Sequence, residues 1–552
     1  MLSFFSSFLA AGILLALVFG YLSFTQTVPA RGGDLKIGLI GSPRYVNPII
    51  NQTNNTDQDL SALVYSSLMK YDTGGNLAKD LADDYKIGDS GKIYEVFIRK
   101  NVKWHDGQNL TIDDVIFTLK LIQDTEYKSQ LRSTWQGVEI EKIDDYSIRF
   151  KIKNAYAPFL QNLTFGVLPK HLWENVVPSS FPLHEMNLKP VGSGPYKFQK
   201  LKKDKNGIIK SMEFKSFEEY FDGKAYIGNL VFNFYPSEDA AIAAWKEKEI
   251  ESLSSISPAN TNLFRDDKNR ANTYSLPLPR YFAVFFNQSQ NKILGDKNVR
   301  LALNQGTNKS GLIGEVINNE GRIADTPILP GMTGYSSSAK KYDFNFDEAK
   351  KILENAGWKD ADGDGIREKD KQILEITLTT FDWQELTRSA QILQKQWSDL
   401  GFKVNLDIKE MSKIQTEVIK PRQYQALLFG EILNLEPDPY SFWHSSQKKD
   451  PGLNLALYES RDADKLLEEG RQDLDLNSRS QKYQQLCSII NEDIPAIFLF
   501  SPNYIMALDK KVKGEQANTI NTPSGRFNQI SQWYINTQRE WNFPKRESRK
   551  LR

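Results

Sequence analysis

The sequence predicts an α/β fold, and patterns in its C-terminal half indicate this class most clearly. Apolar and polar residues alternate over 374–378 and again over 402–408, as in strands with one buried face. Between them, apolar residues from Leu386 to Leu400 recur at steps of four and three, which is typical of an amphipathic helix. A strand, a helix and a strand in this order favour a partly parallel sheet within an α/β lobe.

The length and composition predict a large folded protein. The chain has 552 residues, 40% of them hydrophobic and 25% charged, which suggests several domains or one multi-lobed body. Its 70 basic and 69 acidic residues leave a formal net charge of +1, so the charge does not favour nucleic acid as a partner. Ten Trp, 23 Tyr and 31 Phe can line a large groove as well as fill cores.

Residues 4–24 are the segment that predicts where the protein works. They carry no charge, and about 21 residues at a rise of ~1.5 Å each are enough to cross a hydrocarbon core of ~30 Å. We predict that 1–32 is a membrane anchor with a short linker, and that the body faces the periplasm or the extracellular space. A signal segment cleaved near Val28-Pro29-Ala30, which would release a secreted protein, is the second choice. Residues 541–552 are predicted to be a basic, solvated tail.

Six further segments have the periodicity of helices or strands. One helix is predicted after Thr111, a suitable N-cap that Asp113 and Asp114 follow in the first turn. Another is predicted after the N-cap Asn345 and is expected to stop at Gly357. Strands are predicted at 35–40, 94–98 and 146–152, and a helix at 60–69.

Five motifs follow one another along the chain. They are Trp104-His105-Asp106-Gly107 with Leu110-Thr111-Ile112-Asp113-Asp114-Val115; Val191-Gly192-Ser193-Gly194-Pro195-Tyr196; Phe285-Phe286-Asn287 with Asp296 to Leu303; Tyr342-Asp343-Phe344-Asn345 with Ala356-Gly357-Trp358; and Glu436-Pro437-Asp438-Pro439-Tyr440. Together they resemble the family-5 bacterial extracellular solute-binding proteins, which are the oligopeptide, dipeptide and nickel binders of ABC importers. Each motif is weak alone, but five in collinear order are specific.

The resemblance implies a two-lobed periplasmic-binding-protein-like fold of type II, from the large cluster that carries an extra inserted domain. Lobe I is then expected at 33–77, 190–288 and 505–540, the inserted domain at 78–189 and lobe II at 289–504. Segments that cross between the lobes are expected near Asn287 and near 501–503. Hinge motion about these segments is expected to close the lobes on a ligand.

The resemblance also implies a function. We expect an extracytoplasmic receptor that captures a short peptide or similar solute and delivers it to the permease of an ABC importer. We expect a monomer that needs no cofactor and does not bind nucleic acid. It is not expected to be an enzyme, since no catalytic motif stands out. The alternatives are a non-peptide solute, such as a chelated metal or small metabolite, and a surface interaction protein without transport.

Three pairs of residues are candidates for ligand contacts: Thr380 and Trp383, Asn54 and Asn55, and Tyr440 and Trp443. The first pair follows the predicted strand 374–378, and ligands of α/β lobes sit at the carboxyl ends of strands. The second pair lies in a polar loop, where amides can donate and accept hydrogen bonds. The third pair follows the late Asp-Pro turn. For each of the three aromatic residues, a place in the core is an equal alternative.

The stretch before the late Asp-Pro turn departs from the family pattern. In peptide-binding relatives an aspartate near this place pairs with the amine of the peptide, and the position that aligns with it here is Leu435. One explanation is that Glu431, or else Glu436, takes over the contact, and we include Glu431 and Asn434 among the ligand-binding candidates. The others are that the protein does not bind a free amine, or that the alignment shifts within a variable loop.

An acidic loop raises the question of a metal. Asp360, Asp362 and Asp364, followed by Gly365, have the opening spacing of a calcium loop, but position twelve is Lys371 where a bidentate glutamate is needed. We therefore predict a charged turn, with calcium binding as the alternative. No other metal site is predicted, since none of the four histidines has a second histidine three or four residues away.

Overall fold

The computed structural model of the protein describes residues 24–541. The strands of this part are β1 Thr25–Ala30, β2 Asp34–Ile40, β3 Met69–Tyr71, β4 Leu77–Lys79, β5 Ala82–Gly88, β6 Ile93–Ile98, β7 Glu139–Asp144, β8 Ser147–Lys151, β9 Tyr196–Lys203, β10 Ile209–Ser216, β11 Asn229–Tyr235, β12 Ser252–Ser254, β13 Ala271–Pro277, β14 Arg280–Phe286, β15 Gly321–Ile323, β16 Glu368–Lys369, β17 Gln372–Ile373, β18 Glu375–Phe381, β19 Lys403–Lys409, β20 Ala426–Ile432, β21 Ala496–Asp509 and β22 Asn536–Trp541. Its helices are α1 Asn55–Val64, α2 Ile112–Gln123, α3 Arg132–Trp135, α4 Lys170–Trp173, α5 Glu238–Lys246, α6 Thr261–Asp266, α7 Lys297–Gln305, α8 Lys309–Ile317, α9 Phe346–Asn355, α10 Gln384–Asp399, α11 Met411–Lys413, α12 Tyr440–Trp443, α13 Arg461–Gln472 and α14 Leu476–Asp493. Short 3-10 turns, such as Ala157–Thr164, and a π-helical turn at Ile414–Ile419 connect these elements.

The strand–helix–strand unit of the C-terminal half is present, which confirms the α/β class. β18 and β19 run parallel, with Ile376 opposite Val404, and α10 connects them. The helix buries Leu386, Leu393 and Trp397 and packs against both strands. The spacing of these apolar residues therefore places one face of the helix on the sheet, as the period predicts.

The two predicted helix starts are confirmed. Thr111 precedes α2, and its backbone N–H donates to the Asp114 carboxylate at 2.9 Å within a capping box. Asn345 precedes α9, and its side chain accepts a hydrogen bond from the Glu348 N–H at 3.0 Å. Beyond α9, Gly357 has a φ of +91°, a left-handed conformation that favours glycine and ends the helix.

A mixed sheet of twelve strands runs through the described part of the protein. Ten strands follow one another in the order β19, β18, β20, β14, β21, β12, β2, β11, β10 and β9, while β13 and β15 also pair with β21. The 14-residue strand β21 joins the two halves of the sheet. Its first residues pair with β14 and its last residues pair with β12 and β13.

Buried apolar side chains form two large cores, which define two lobes. The core of lobe I comes from 35–278 and 504–533, and the core of lobe II comes from 281–500. The chain therefore crosses between the lobes at Leu278–Arg280 and again within β21, at the expected 501–503. The predicted crossing near Asn287 is wrong. Asn287 is buried beyond the end of β14 and donates to the Arg422 carbonyl at 3.0 Å, because the apolar strand before it already belongs to lobe II.

The segment predicted as an inserted domain contains its own antiparallel sheet, in the order β5, β6, β8 and β7. α2 packs against β7 and against the short helices α3 and α4. Buried residues of this unit, including Tyr94, Val96 and Trp135, belong to the same apolar cluster as the core of lobe I. The unit is therefore packed onto lobe I, and the exact predicted domain boundaries remain predictions.

The glycine-rich motif at 191–196 packs against the end of α1 and against His105. A Cβ on Gly192 or Gly194 would collide with the backbone of that helix end, so both positions need glycine. His105 Nδ1 accepts the Gly192 N–H at 3.2 Å, and its Nε2–H donates to the Gly194 carbonyl at 3.0 Å. Burial lowers the pKa of His105 to about 4, so the ring is neutral at pH 7. The motif is a structural turn.

The two ends of the described chain form a ribbon. β1 and β22 pair antiparallel along their whole length, with Thr25 opposite Trp541. Nearly all of the predicted membrane segment, 4–24, lies outside the described residues, as does the basic tail beyond residue 541. Between residues 24 and 541, no helix combines the length and the apolar character needed to cross a membrane.

Candidate functional site

A cleft of about 690 Å³ lies where lobe I meets the segments that cross to lobe II. Its lining comes mainly from 48–71, 131–166, 278–280, 432–434 and 521–531. The first crossing segment and the end of β20 form the wall on the side of lobe II. Ile432, the last residue of β20, is 74% exposed, so an apolar side chain stands free at this wall. The volume is in the usual range of ligand sites, roughly 300–1,000 Å³.

The lining combines amide and hydroxyl groups with aromatic rings. The rings come from Tyr65, Tyr71, Trp135, Phe165, Tyr220 and Phe527. Several polar groups that line the cleft are buried without a hydrogen-bond partner: Gln52 Oε1, Ser61 Oγ and Gln161 Nε2. Buried polar atoms are nearly always satisfied in proteins, so such groups indicate a place where water or a polar ligand binds.

Helix α1 carries one wall of the cleft and is held by a buried ion pair. Asn54 caps the helix by accepting the Thr56 N–H at 2.9 Å, and its amide donates to the Ser42 carbonyl at 3.0 Å. On the inner face, Asp59 binds the Arg526 guanidinium through two contacts of 2.7 and 2.6 Å. Burial disfavours the charge of Arg526, but Asp59 outweighs this effect and raises the pKa of Arg526. The pair joins α1 to the segment 521–531, which also lines the cleft.

The lining of the cleft contains three charged side chains: Lys70, Asp80 and Arg280. The Lys70 ammonium lies 3.1 Å from both Asp80 and Asp222, and Asp80 also accepts the Ser67 N–H at 3.1 Å. The Arg280 Nε is buried and has no hydrogen-bond partner. Burial lowers the pKa of Arg280, and the more distant carboxylate of Glu385 opposes that shift.

The structure brings two of the predicted ligand-binding residues, Asn55 and Asn434, to the cleft. Asn54 is next to this lining and serves as the cap of α1. Thr380 is fully buried, and its hydroxyl donates to the Leu428 carbonyl at 2.9 Å. Trp383 is half-buried and packs on Phe282, with 5.5 Å between the ring centroids. Neither Thr380 nor Trp383 is part of the lining. The hydrogen bond of Thr380 to Leu428 and the packing of the Trp383 ring on Phe282 bury the end of β18 inside lobe II.

Glu431 lies in the core of lobe II and not in the cleft lining. Its residue is only 2% exposed, and its carboxyl group is hydrogen-bonded to the Tyr281 hydroxyl. Burial raises the pKa of Glu431 to about 8, although the Tyr281 contact acts in the opposite direction. The other acid of this stretch, Glu436, is bonded to Arg479. Neither carboxyl group lines the cleft.

Tyr440 and Trp443 also lie away from the lining. Tyr440 stacks on His444, with 4.2 Å between the ring centroids. The Arg471 guanidinium lies 4.3 Å from the centroid of the Tyr440 ring. Trp443 is 1% exposed and packs on Phe498 in the core of lobe II. Of the two alternatives that the sequence left for Trp443, this placement corresponds to the core.

The comparisons with known proteins agree with this architecture. The family model "Bacterial extracellular solute-binding proteins, family 5 Middle" matches residues 76–453. The chain is 31% identical over 515 residues to the oligopeptide-binding protein AppA of Bacillus subtilis, covering 92% of each chain. The chain belongs to the family-5 bacterial extracellular solute-binding proteins. The predicted resemblance is thereby confirmed.

Solved structures of family members have the same two-lobed architecture. The structure of AppA from Bacillus subtilis in complex with a nonapeptide has a TM-score of 0.72 and covers 92% of this chain and 100% of that one. NikZ from Campylobacter jejuni in complex with Ni(L-His) is 26% identical, with a TM-score of 0.73 and coverage of 91% and 99%. Among curated relatives, the dipeptide-binding protein of Escherichia coli is 25% identical, covering 86% of this chain and 90% of its own.

Sequence reasoning missed most of the lining of this family member. The lining residues within 131–135, 161–166 and 521–531 lie outside the predicted elements, and the segment 521–531 reaches the cleft by packing against α1. Arg280 did leave a signal. It is the lone charged residue in the run Leu276-Pro277-Leu278-Pro279-Arg280-Tyr281-Phe282, which leads into a buried strand. A single cation in such a run indicates a group with a specific partner.

The acidic loop at 360–365 has a structural account. Both oxygens of Asp360 accept backbone N–H groups, from Gly363 at 2.8 Å and from Gly365 at 3.1 Å. Asp364 likewise accepts the Ile366 N–H at 2.7 Å. Asp360, Asp362 and Glu368 nevertheless lie close enough to share an ion. The charged turn therefore remains the prediction, with calcium as the alternative.

Proposed function

We propose that the protein captures a short peptide in the 690 Å³ cleft and presents it to the permease of an ABC importer. It acts by binding and release, without catalysis, as a monomer. The observation that carries the proposal is the composition of the lining: amides, hydroxyls and aromatic rings, with few charges. Such a surface can hydrogen-bond to any peptide backbone and accept varied side chains. The nonapeptide complex of AppA supports the same ligand class.

Asn55 and Asn434 are the predicted residues that we propose to contact the peptide. They line the cleft from α1 and from the segment after β20, so they approach a ligand from lobe I and from the lobe II side. Each amide has a donor and an acceptor and can therefore bind both groups of a peptide unit. Contacts from both sides favour the closed arrangement of the lobes when a ligand is present.

A chelated metal is the second candidate ligand, and the nickel–histidine complex of NikZ favours it. The lining of the cleft contains no histidine and no cysteine, and its one acid, Asp80, is bonded to Lys70. A bare transition metal would find no suitable ligands in this set. Any metal held here would have to arrive with its own chelator.

Mass spectrometry of ligands that co-purify with the full-length protein tests the proposal. We expect peptides to be retained by the wild type and lost from Ala62→Trp, because Ala62 lines the cleft and a Trp side chain there fills it. Ala361→Trp, in the exposed acidic loop, is the matched control and should retain them. A retained metal chelate, or peptides bound equally by both variants, would contradict peptide capture in this cleft.

We also propose that residues 4–24 anchor the protein in the membrane with the lobes on the outer side. β1 begins at Thr25, directly after the apolar run, so the folded body would start at the membrane surface. Deletion of residues 1–24 leaves β1 intact and is expected to release a soluble protein that still binds its ligand. Fractionation of cells that express either form measures this. Membrane association that persists after the deletion would argue against the anchor.

A further inference from the structure

The charged groups of the cleft leave one positive charge without an acid at contact distance. Lys70 is neutralised by Asp80 and Asp222, each 3.1 Å away. Arg280 makes no ion pair within 4 Å among the described residues, and its buried Nε has no hydrogen-bond partner. A buried guanidinium N–H without a partner is costly, so Arg280 is expected to bind an acceptor group.

The same cleft has no carboxylate available for an amine. Asp80 is the one acid among the lining residues, and it is already bonded to the Lys70 ammonium and to the Ser67 N–H. Glu431 is enclosed in the core of lobe II, and Glu436 is bonded to Arg479. A ligand amine placed in this cleft would therefore add a second unpaired cation beside Arg280, which is unfavourable.

We infer that Arg280 binds a carboxylate of the captured peptide, and that the cleft does not require a free amino terminus. The inference rests on the proposed function and names the chemical group that the site selects.

The position of Arg280 suits this role. It is the first residue of β14, at the first crossing between the lobes, and it lies opposite Ile432 in the ladder with β20. A guanidinium presents parallel N–H donors that match the two oxygens of a carboxylate. The partly buried setting strengthens such a contact relative to water. A carboxylate bound here would contact the first crossing segment, next to the end of β20 in lobe II, so binding and closure would be coupled.

Glu385 is the competing acid near this position. It attracts Arg280 from a distance but forms no ion pair with it, and its own Oε2 is buried without a hydrogen-bond partner. Glu385 lies in the first turn of α10 in lobe II and is not part of the cleft lining. The guanidinium therefore remains available on its cleft side to a ligand.

Three pools of randomised nonapeptides test the inference on full-length protein. One pool has free termini, one is amidated at the carboxyl end and one is acetylated at the amino end. Mass spectrometry identifies what is retained, and titration of one retained sequence in all three forms measures affinity. Amidation is expected to weaken binding to the wild type by roughly 30-fold or more, and acetylation by less than about threefold. Arg280→Gln should bind the free and amidated forms alike, and Arg280→Lys should keep part of the preference.

Arg322→Gln is the matched control. Arg322 also has a buried Nε without a partner, but it lines a second cleft of about 480 Å³ on the other side of 277–279. This variant should discriminate between free and amidated peptides as the wild type does. The comparison of pools on the wild type needs no variant, so it holds even if Arg280→Gln fails to fold.

Two results would overturn the inference, and only the second of them would also reject the proposed function. Equal wild-type affinity for free and amidated peptides would eliminate carboxylate recognition and leave peptide capture intact. Retention of none of the pools would remove both carboxylate recognition and the proposed function. A loss of discrimination in Arg322→Gln as well as in Arg280→Gln would assign the effect to a general change of the fold.

Discussion

Each lobe buries a carboxyl group behind a wall of the cleft, but the two groups have different partners. In lobe I, Asp59 faces the fully buried Arg526 guanidinium through two contacts of 2.7 and 2.6 Å. In lobe II, Glu431 meets the hydroxyl of Tyr281, and its Oε1 has no hydrogen-bond partner among the described residues. Both lie next to functional elements, since Asp59 is on α1 and Glu431 precedes the cleft residue Ile432.

The difference shows how a protein interior sets the charge of an acid. A buried carboxylate with a bidentate arginine keeps its charge, because the ion pair replaces the lost water. A buried acid without a cation holds its proton, and burial raises the pKa of Glu431 to about 8. The Asp59 site of lobe I therefore depends on a charge pair, and the Glu431 site of lobe II depends on a neutral acid. Two substitutions can test this contrast, and a third tests a contact between the two lobes.

Asp59→Asn is expected to have the largest effect. It leaves the Arg526 guanidinium buried without a counter-charge, which should lower the free energy of unfolding by about 3–5 kcal/mol. The urea midpoint at pH 7 measures the change. Asp222→Asn is the matched control, because Asp222 pairs with Lys70 while half-exposed to solvent, and it should cost about 1 kcal/mol or less. Equal losses in both variants would refute the special role of the buried pair.

Glu431→Gln is expected to remove a pH dependence. The folded-state pKa of Glu431, about 8, lies above the unfolded value of 4.5, so its stability contribution is complete below pH 4.5 and is lost as the pH rises towards 8. Through this group the wild type should have lost about 3 kcal/mol by pH 7 and about 4–5 kcal/mol by pH 8.5. The glutamine variant resembles the protonated acid and should therefore be the more stable protein at pH 8.5 and equal to it near pH 5.

Urea titrations at several pH values measure this effect. Glu410→Gln replaces an exposed glutamate of lobe II that pairs with Lys413, and its profile should follow the wild type. A pH profile of Glu431→Gln that runs parallel to the wild type between pH 5 and 8.5 would show that Glu431 is ionised when folded.

Removal of a contact between the lobes should change the stability least, but it should change how far the lobes open. The Arg471 guanidinium of lobe II lies 5.2 Å from the ring centroid of Tyr156 on the lobe I side. Tyr156→Leu removes this cation–π contact, worth about 0.5–2 kcal/mol, and should favour opening of the lobes. Small-angle scattering of the unliganded protein should then give a larger radius of gyration. Phe97→Leu, which removes the Lys86–Phe97 contact within one lobe, should leave the radius unchanged.

Local features of the fold could be predicted because they depend on short stretches of chain. The start of α2 at Thr111 and the start of α9 at Asn345 follow from caps within three residues. The parallel pair β18 and β19 follows from alternation and from the helix between the strands. The crossing near Asn287 was misplaced because an apolar strand has the same pattern whether it lies within a lobe or leads out of one.

The candidate site was harder to predict. Asn55 and Asn434 line the cleft, whereas Thr380 and Trp383 pack inside lobe II. The rule that ligands sit at the carboxyl ends of strands points to many strand ends in a sheet of this size. Which end stays open depends on the neighbours that cover it, and Phe282 and Phe381 cover this one.

The sequence by itself determined the α/β class, the family and the starts of α2 and α9, because periodicity, caps and collinear motifs depend on neighbouring residues. The helix predicted at 60–69 was misplaced, since α1 spans Asn55–Val64 and residue 69 begins β3. Only the tertiary structure decided which charges have partners. Asp59 finds Arg526 across 467 positions of the chain, while Arg280 remains without an acid at the cleft. The physical reason is that the energy of a charge depends on its burial and on distances to residues far away in the chain. Periodicity along the chain does not encode either quantity.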